Sequence, residues 1–113
     1  MADRPRRHTV VWTEVALADV ERLAAYLAED APMTADRILE RIIDRAESLT
    51  RVPERGRTPP ELRAIGDQTW REIQLRPWRI LYRIVAPARV EIHGVIDGRR
   101  NLTDVLLERI LRP

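Results

Sequence analysis

The stretch RPWRILYRIV, residues 76–85, decides the fold, because its apolar residues recur at every second position. This period is typical of a β-strand with one buried side. The side with four large apolar residues reads Trp78, Ile80, Tyr82, Ile84. The opposite side reads Arg79, Leu81, Arg83, Val85. Because arginines are rarely buried without partners, we predict that the first side faces the core and that the second side is open or binds another molecule.

Three more strands are predicted around this one. Residues 69–76 and 89–96 are strand-like runs on either side of the predicted strand 78–86. Pro77 and Pro87 mark tight connections, so these three strands should form an antiparallel meander. The run RRHTVVW, residues 6–12, alternates well enough to predict an opening strand.

Two amphipathic helices are predicted between the opening strand and the meander. Thr13 is a natural N-cap for a first helix that runs to about Ala28. Pro32 interrupts the pattern, and a second helix follows over residues 34–50. Because their connection is short, the two helices should form an antiparallel hairpin.

The remaining segments complete the predicted architecture. The polar segment 53–68 has no clear period, and we expect a short extended piece within it at residues 61–65. Residues 101–111 predict a C-terminal helix. The fold class is therefore α+β, with an N-terminal strand, an antiparallel helical hairpin packed on an antiparallel meander sheet, and a short C-terminal helix.

Length and composition limit the class of protein. A chain of 113 residues with 44% hydrophobic and 34% charged residues predicts one globular domain over residues 1–113, with residues 1–6 as a flexible tail. No apolar run reaches the roughly 18–20 residues of a membrane span, and no signal-type segment follows the N-terminus, so we expect a cytoplasmic protein. The absence of cysteine excludes disulfides and thiolate metal sites, and we predict neither a metal nor a cofactor. The two histidines, His8 and His93, are interpreted as structural or surface residues.

All 20 basic residues are arginine, yet the formal net charge is only +2. Guanidinium groups are suited to carboxylates, phosphates and aromatic faces. The balanced total argues against a general nucleic-acid coat and favours, at most, a local basic patch.

A series of short features runs along almost the whole chain, roughly from Val10 to Arg109. They are Trp12-Thr13, Ala16 and Asp19-Val20, Asp30-Ala31-Pro32, Leu49, Pro53, Gly56-Arg57, Glu61-Leu62, Arg71, the run from Trp78 to Arg83, and Gly98-Arg99-Arg100. In this order and spacing they resemble the RelE/ParE superfamily of toxins from bacterial type II toxin-antitoxin systems.

The resemblance implies one of two activities. RelE-like members are ribonucleases that cut messenger RNA in the ribosome, whereas ParE-like members poison DNA gyrase and are not hydrolases. Arg79 and Arg100 match basic residues of the ribonuclease branch, but Glu72 and Gln74 stand where that branch has lysines. Leu106 stands where a tyrosine or histidine would help catalysis. We therefore expect a ParE-like gyrase inhibitor without catalytic residues.

Two alternatives stay open at this point. The first is a ribosome-dependent messenger RNA endoribonuclease that uses Arg79, Arg100 and Glu72. The second is a degenerate, non-toxic member that acts only within an antitoxin repressor complex. The residues predicted to bind the target are Arg71, Arg79, Arg83, Arg99 and Arg100. Ion pairs with Glu72 or Glu91 are the ordinary explanation for these strand arginines, and we favour it for Arg83.

A toxin of this superfamily also implies a cognate antitoxin. Antitoxins bind through a disordered segment that folds on contact, laying an amphipathic helix and sometimes a strand across the toxin. The helical hairpin is expected to offer the groove. The predicted antitoxin-binding residues are Leu23, Leu27, Arg37, Arg41 and Arg45.

Overall fold

The computed structural model describes residues 7–99 and 102–111, and within them the predicted order of strands and helices is confirmed. The strands are β1 (Thr9–Trp12), β2 (Trp70–Leu75), β3 (Trp78–Val85) and β4 (Arg89–Asp97). The helices are α1 (Glu14–Ala28), α2 (Pro32–Glu47), α3 (Pro60–Arg63) and α4 (Leu102–Leu111), with 3-10 turns at Ser48–Thr50 and Pro53–Arg55. The predicted flexible tail, residues 1–6, lies outside the described residues.

Local sequence signals explain where the two long helices begin. The Thr13 hydroxyl oxygen accepts a hydrogen bond from the Ala16 N–H at 3.2 Å, which confirms Thr13 as the N-cap of α1. The same hydroxyl donates to the Ile92 carbonyl at 3.0 Å and so ties the start of α1 to β4. Helix α2 begins at Pro32 instead of after it, because proline lacks an N–H that the first helical position would leave unpaired.

The four strands form one mixed sheet in the order β1-β4-β3-β2. Strands β2, β3 and β4 form the predicted antiparallel meander, whereas β1 lies parallel to β4 with Val10 opposite Val90. The register between β3 and β4 shifts after Leu81, which leaves His93 as an extra residue on β4. Strand β1 covers only the first part of β4, so the last part of β4 has no strand on that side.

The main core lies between the helical hairpin and one sheet face. Its buried residues include Ile42, Ala46 and Leu49 from α2 and the following turn, and Ile73, Ile80, Tyr82, Val90 and Ile92 from the sheet. Trp78 and Ile84 are partly buried against the same cluster. The prediction that the apolar side of β3 faces the helices is therefore confirmed.

The opposite sheet face is not open, which corrects the expectation for that side. A second cluster of buried residues, Leu62, Trp70, Leu81 and Ile96, lies there with Val105 of α4 packed against it. The prediction of an extended piece at residues 61–65 is wrong, because residues 61–63 lie in α3 and residues 64–65 lie in the turn that follows it. Proline at positions 59 and 60 holds the backbone in a conformation that starts a helical turn, and that turn places Leu62 over the sheet.

Candidate functional site

Arg79 lies on the sheet face that α3 and α4 cover, and its guanidinium is bound by two carboxylates. Both terminal nitrogens donate to Glu61, with Nη1–Oε2 and Nη2–Oε1 distances of 2.8 Å. The guanidinium also contacts the Glu72 carboxylate. Only 12% of the Arg79 side chain is exposed. Arg79, which is predicted to bind the target, is thus bound by the protein's own carboxylates.

Glu72 lies at the centre of this group of charges. Its side chain is 2% exposed and is bound by Arg79 on one side and by Arg57 on the other, with an Arg57 Nε–Glu72 Oε2 distance of 3.1 Å. The backbone of Arg57 also pairs with that of Glu72 through two hydrogen bonds, of 2.8 and 3.0 Å. We call Arg57, Glu61, Glu72 and Arg79 the Arg79 cluster; its two cations and two anions balance.

Glu61 and Arg79 stabilise each other's ionised forms. Burial alone would raise the pKa of the Glu61 carboxyl, but hydrogen bonds and charge from Arg79 lower that pKa overall. Burial opposes the charge of Arg79 as well, yet Glu61 and Glu72 raise its pKa above the ordinary value. The cluster is therefore a set of internal ion pairs rather than a free cationic site.

Arg83 forms an ion pair, as favoured from the sequence, and its partner is Glu91. The Arg83 Nε–Glu91 Oε1 distance is 2.8 Å, and Glu91 also contacts Arg89 at 3.1 Å and His93 at 3.0 Å. Hydrogen bonds from Arg83 and His93 lower the pKa of Glu91 to about 2. The Arg83 guanidinium also lies 5.6 Å from the centre of the Trp70 ring, a cation–π distance. These contacts, with those of the Arg79 cluster, explain how one sheet face carries both Arg79 and Arg83.

The other arginines predicted to bind the target lie elsewhere. Arg71 is directly opposite Tyr82 in the β2–β3 pairing, so its side chain is on the hairpin side of the sheet. There it donates to the carbonyls of Glu54 and Gly56 at 3.1 and 2.9 Å. Arg99 is exposed at the end of β4, and Arg100 lies outside the described residues. The structure therefore does not gather Arg71, Arg79, Arg83 and Arg99 on one surface.

A groove of about 300 Å³ lies between α1, the end of β4 and α4. Its apolar lining consists of Leu23, Tyr26, Leu27, Trp78, Val95, Ile96 and Val105, and its charged lining of Asp19, Arg22, Asp97, Arg99 and Arg109. The groove contains two predicted antitoxin-binding residues, Leu23 and Leu27. The other three, Arg37, Arg41 and Arg45, do not line it.

Asp19, which lines this groove, is a buried charged residue whose ion pair was not predicted from the sequence. The Asp19 side chain is 4% exposed, and its oxygens accept from Arg109 at 2.7 and 2.8 Å, from Arg22 at 2.6 Å and from the Val95 N–H at 2.9 Å. The hydrogen bonds to Asp19 raise the pKa of Arg109, although burial opposes this. A signal was available, because Asp19 follows Ala16 by three positions and precedes Leu23 by four on the apolar side of α1. A carboxylate in that position requires a buried partner.

Two features are absent from residues 7–99 and 102–111. No group of three or more histidine, cysteine, aspartate or glutamate side chains in this part of the chain is arranged to hold a metal ion. Nor is any helix there both long enough and apolar enough to cross a lipid bilayer.

Comparison with known proteins gives matches over most of the chain. A family model described as the ParE toxin of the type II toxin-antitoxin system parDE matches residues 10–102. The protein named "Toxin RelE2" from Caulobacter vibrioides is 35% identical over 91 residues, which are 80% of this chain and 96% of that protein.

Solved structures share the fold. The chromosomal ParDE toxin-antitoxin system of P. aeruginosa contains a chain with a TM-score of 0.67 and 19% identity, covering 81% of this chain and 97% of that one. The RelBE2 toxin-antitoxin complex of Mycobacterium tuberculosis gives a TM-score of 0.61 and 24% identity over 85% and 97% of the two chains. A double mutant of the E. coli toxin RelE in the free state gives 0.62 and 15% over 94% and 97%.

The family match covers β1 to the start of α4, and the same elements build the α+β fold of these toxins. The chain therefore belongs to the ParE toxin family within the RelE/ParE superfamily, and it is the toxin of a type II toxin-antitoxin system.

Proposed function

We propose that this toxin stops growth by poisoning DNA gyrase in the cytoplasm and that it does not cut RNA. The observation that supports the proposal is the occupation of Arg79 by Glu61 and Glu72. To bind a scissile phosphate, Arg79 would have to release carboxylates that hold it in a largely buried position. Separating such pairs leaves uncompensated charges and costs about 3–5 kcal/mol.

Glu72 is also poorly placed to serve as the base of a ribonuclease. A general base must come within hydrogen-bonding distance of the proton that it removes. The Glu72 side chain is 2% exposed, and two arginines already bind its carboxylate. The positions of Arg79 and of Glu72 therefore both disfavour RNA cleavage.

The test compares the two targets with the same purified protein. Incubation with gyrase and supercoiled plasmid should inhibit supercoiling and trap a gyrase–DNA cleavage complex, and addition of the antitoxin should abolish both effects. A parallel incubation with translating ribosomes should leave the messenger RNA intact. Codon-dependent cuts in the message, with gyrase unaffected, would replace the gyrase proposal by the ribonuclease alternative. A protein that binds its antitoxin but slows growth in neither way would belong to the non-toxic alternative.

We propose further that the cognate antitoxin lays an amphipathic segment into the groove beside α1. The groove combines an apolar lining with exposed arginines at its rim, Arg22 and Arg99, whose side chains are 69% and 73% exposed. This combination suits a helix with one apolar stripe flanked by acidic residues. The proposed role of Arg37, Arg41 and Arg45 in the same interface is not supported by this geometry, since none of them lines the groove.

Two substitutions on α1 test the groove. Leu27→Glu introduces a charge into the groove lining, whereas Leu17→Glu introduces the same charge at a residue that is 48% exposed and lies outside the groove. We expect the first variant to weaken antitoxin binding by at least about ten-fold and the second to have little effect. Calorimetric titration with the purified antitoxin measures both. Equal affinities for the two variants would place the antitoxin elsewhere.

A further inference from the structure

A second depression, also of about 300 Å³, lies between the last turns of α2, the turn Pro53–Arg55 and the end of β2. It shares no lining residue with the groove beside α1. Its lining consists of Arg41, Asp44, Arg45, Ser48, Arg55 and Leu75. We call it the arginine depression, because three guanidinium groups and a single carboxylate give its lining a net charge of +2.

The sequence of α2 brings two of these arginines together. Arg41 and Arg45 are four positions apart, so they lie on the same side of the helix in successive turns, and both are exposed. Like charges at this spacing oppose helix formation. Their placement is therefore unfavourable for the isolated helix unless an anion lies near them.

The third arginine is held in place by hydrogen bonds. The Arg55 Nη2 donates to the Ser48 hydroxyl at 2.5 Å, and that hydroxyl donates to the Arg45 carbonyl at 2.6 Å. These two hydrogen bonds hold the Arg55 guanidinium beside the C-terminal end of α2. Holding a cation in advance lowers the entropy that binding an anion would otherwise cost.

Among the described residues, the arginines of the arginine depression lack ion pairs, unlike those of the Arg79 cluster and of the groove beside α1. Arginines with a carboxylate within ion-pair distance are Arg22, Arg57, Arg79, Arg83, Arg89, Arg99 and Arg109. Arg41, Arg45 and Arg55 have none in the part of the chain that the structure describes, although Asp44 is in the same lining. The guanidinium donors of Arg41 and Arg45, and those of Arg55 that Ser48 does not accept, are available to an external anion.

We propose that the arginine depression binds a phosphodiester group of a nucleic-acid backbone. A guanidinium presents a planar fork of donors that matches phosphate oxygens, and several such groups with net positive charge suit a polyanion. The modest net charge of the whole chain, +2, makes this a local contact and not a general coat. Asp44 opposes the phosphate and thereby limits the affinity.

Binding of a phosphodiester by the arginine depression is independent of gyrase inhibition, because it involves only the toxin and the nucleic acid. The experiment measures fluorescence anisotropy of labelled duplex DNA and of labelled single-stranded RNA of equal length, titrated with the full-length chain in the absence of gyrase and ribosomes. The two probes distinguish the sources of the phosphodiester. Failure here leaves the gyrase assay unaffected, and failure of the gyrase assay leaves this binding test intact.

The principal variant is Arg41→Gln with Arg45→Gln. We expect it to weaken binding of at least one probe by about ten-fold and to reduce the slope of log affinity against log salt by about one to two. The matched control is Arg37→Gln with Arg63→Gln, which removes the same charge from two exposed residues outside the depression. It should weaken binding by less than about three-fold.

A third variant gives an effect that misfolding does not produce. Asp44→Asn removes the opposing carboxylate and should tighten binding by about three-fold. Equal losses in the principal variant and the control would show that only net charge matters and would overturn the site. Unchanged nucleic-acid affinity in both variants would also overturn the proposal. A principal variant that no longer binds the antitoxin but still binds nucleic acid would do the same.

Discussion

Asp19 and Arg109 form a two-point ion pair that joins α1 to α4 across 90 positions of the sequence. The distances are 2.8 Å for Nη1–Oδ2 and 2.7 Å for Nη2–Oδ1, and the two side chains are 4% and 22% exposed. Asp19 Oδ2 also accepts the Val95 N–H at 2.9 Å, on the side of β4 that β1 leaves uncovered. The Asp19 carboxylate therefore accepts a hydrogen bond from the uncovered edge of β4 and also anchors α4 through Arg109.

Replacing Asp19 by alanine should strongly destabilise the fold. The change leaves the Val95 N–H without its acceptor and Arg109 without its counter-charge, at a cost of about 3–5 kcal/mol. Urea unfolding followed by circular dichroism measures the loss. The control is Arg99→Ala, which breaks an exposed pair with Asp97 and should cost less than about 1 kcal/mol. Equal losses in the two variants would contradict the role assigned to Asp19.

Replacing Arg79 by alanine should reduce stability more than replacing Arg83. Arg79→Ala leaves Glu72 buried with Arg57 as its remaining partner, and we expect a loss of about 3 kcal/mol. For a domain of this size such a loss lowers the Tm by about 10 °C. Arg83→Ala breaks a pair in which the arginine is 40% exposed and should cost about 1 kcal/mol. If Arg79→Ala melted like the wild type while toxicity fell, Arg79 would be a functional residue and not a structural one.

Tyr82 should be sensitive to loss of its hydroxyl alone. The Tyr82 hydroxyl donates to the Pro53 carbonyl at 2.6 Å and accepts from the Gly56 N–H at 2.9 Å, and both bonds are buried. Tyr82→Phe should therefore cost about 2 kcal/mol, because two buried backbone groups lose their partner. Thermal unfolding measures the change.

Gly56→Ala provides a companion variant at the same contact. An added Cβ would overlap the Tyr82 hydroxyl and lie 2.6 Å from the Glu72 carbonyl oxygen, so the chain must shift. The reference is Gly66→Ala, where nothing lies within 4 Å of the added carbon but a φ of +80° disfavours alanine by about 1 kcal/mol. Gly56→Ala should cost more than this reference, and the reverse order would contradict the tight approach.

Acidification should weaken the fold partly through Glu91. The pKa of Glu91 is about 2 in the folded chain, below the ordinary value of 4.5. A lowered folded-state pKa stabilises the fold above the unfolded-state value, and this contribution is lost as the pH falls from about 5 towards 2. Solvent screening of the half-exposed arginines limits it to the order of 1 kcal/mol. Glu91→Gln should show a smaller loss of stability over this pH range in urea titrations, and an identical pH profile would contradict the assignment.

The strand and helix pattern could be predicted because it depends on local periodicity and caps. The alternation in β3, the prolines between strands and Thr13 before α1 each act within a few residues. The helical turn within residues 61–65 also has a local cause, because the preceding prolines favour the start of a helix. The polarity of this segment gives no sign of that turn.

Ion pairs could be predicted only between strands that follow one another in the chain and pair as a hairpin. Arg83 and Glu91 face each other in a simple hairpin, so their contact follows from the meander. The Asp19–Arg109 pair and the Glu61–Arg79 pair depend on where α4 and α3 pack, which no local pattern specifies. Sequence periodicity therefore did not predict that these two helices cover the second sheet face.

The parallel pairing of β1 with β4 also has a consequence for the order of events during translation. Val90, the partner of Val10, is synthesised about 80 residues after it. Until then β1 has no neighbour, the Val95 N–H that Asp19 binds does not exist, and the hairpin has no complete sheet to cover. The nascent chain therefore acquires the toxin fold only after β4 has been synthesised, and products of interrupted translation that stop before β4 cannot assemble it.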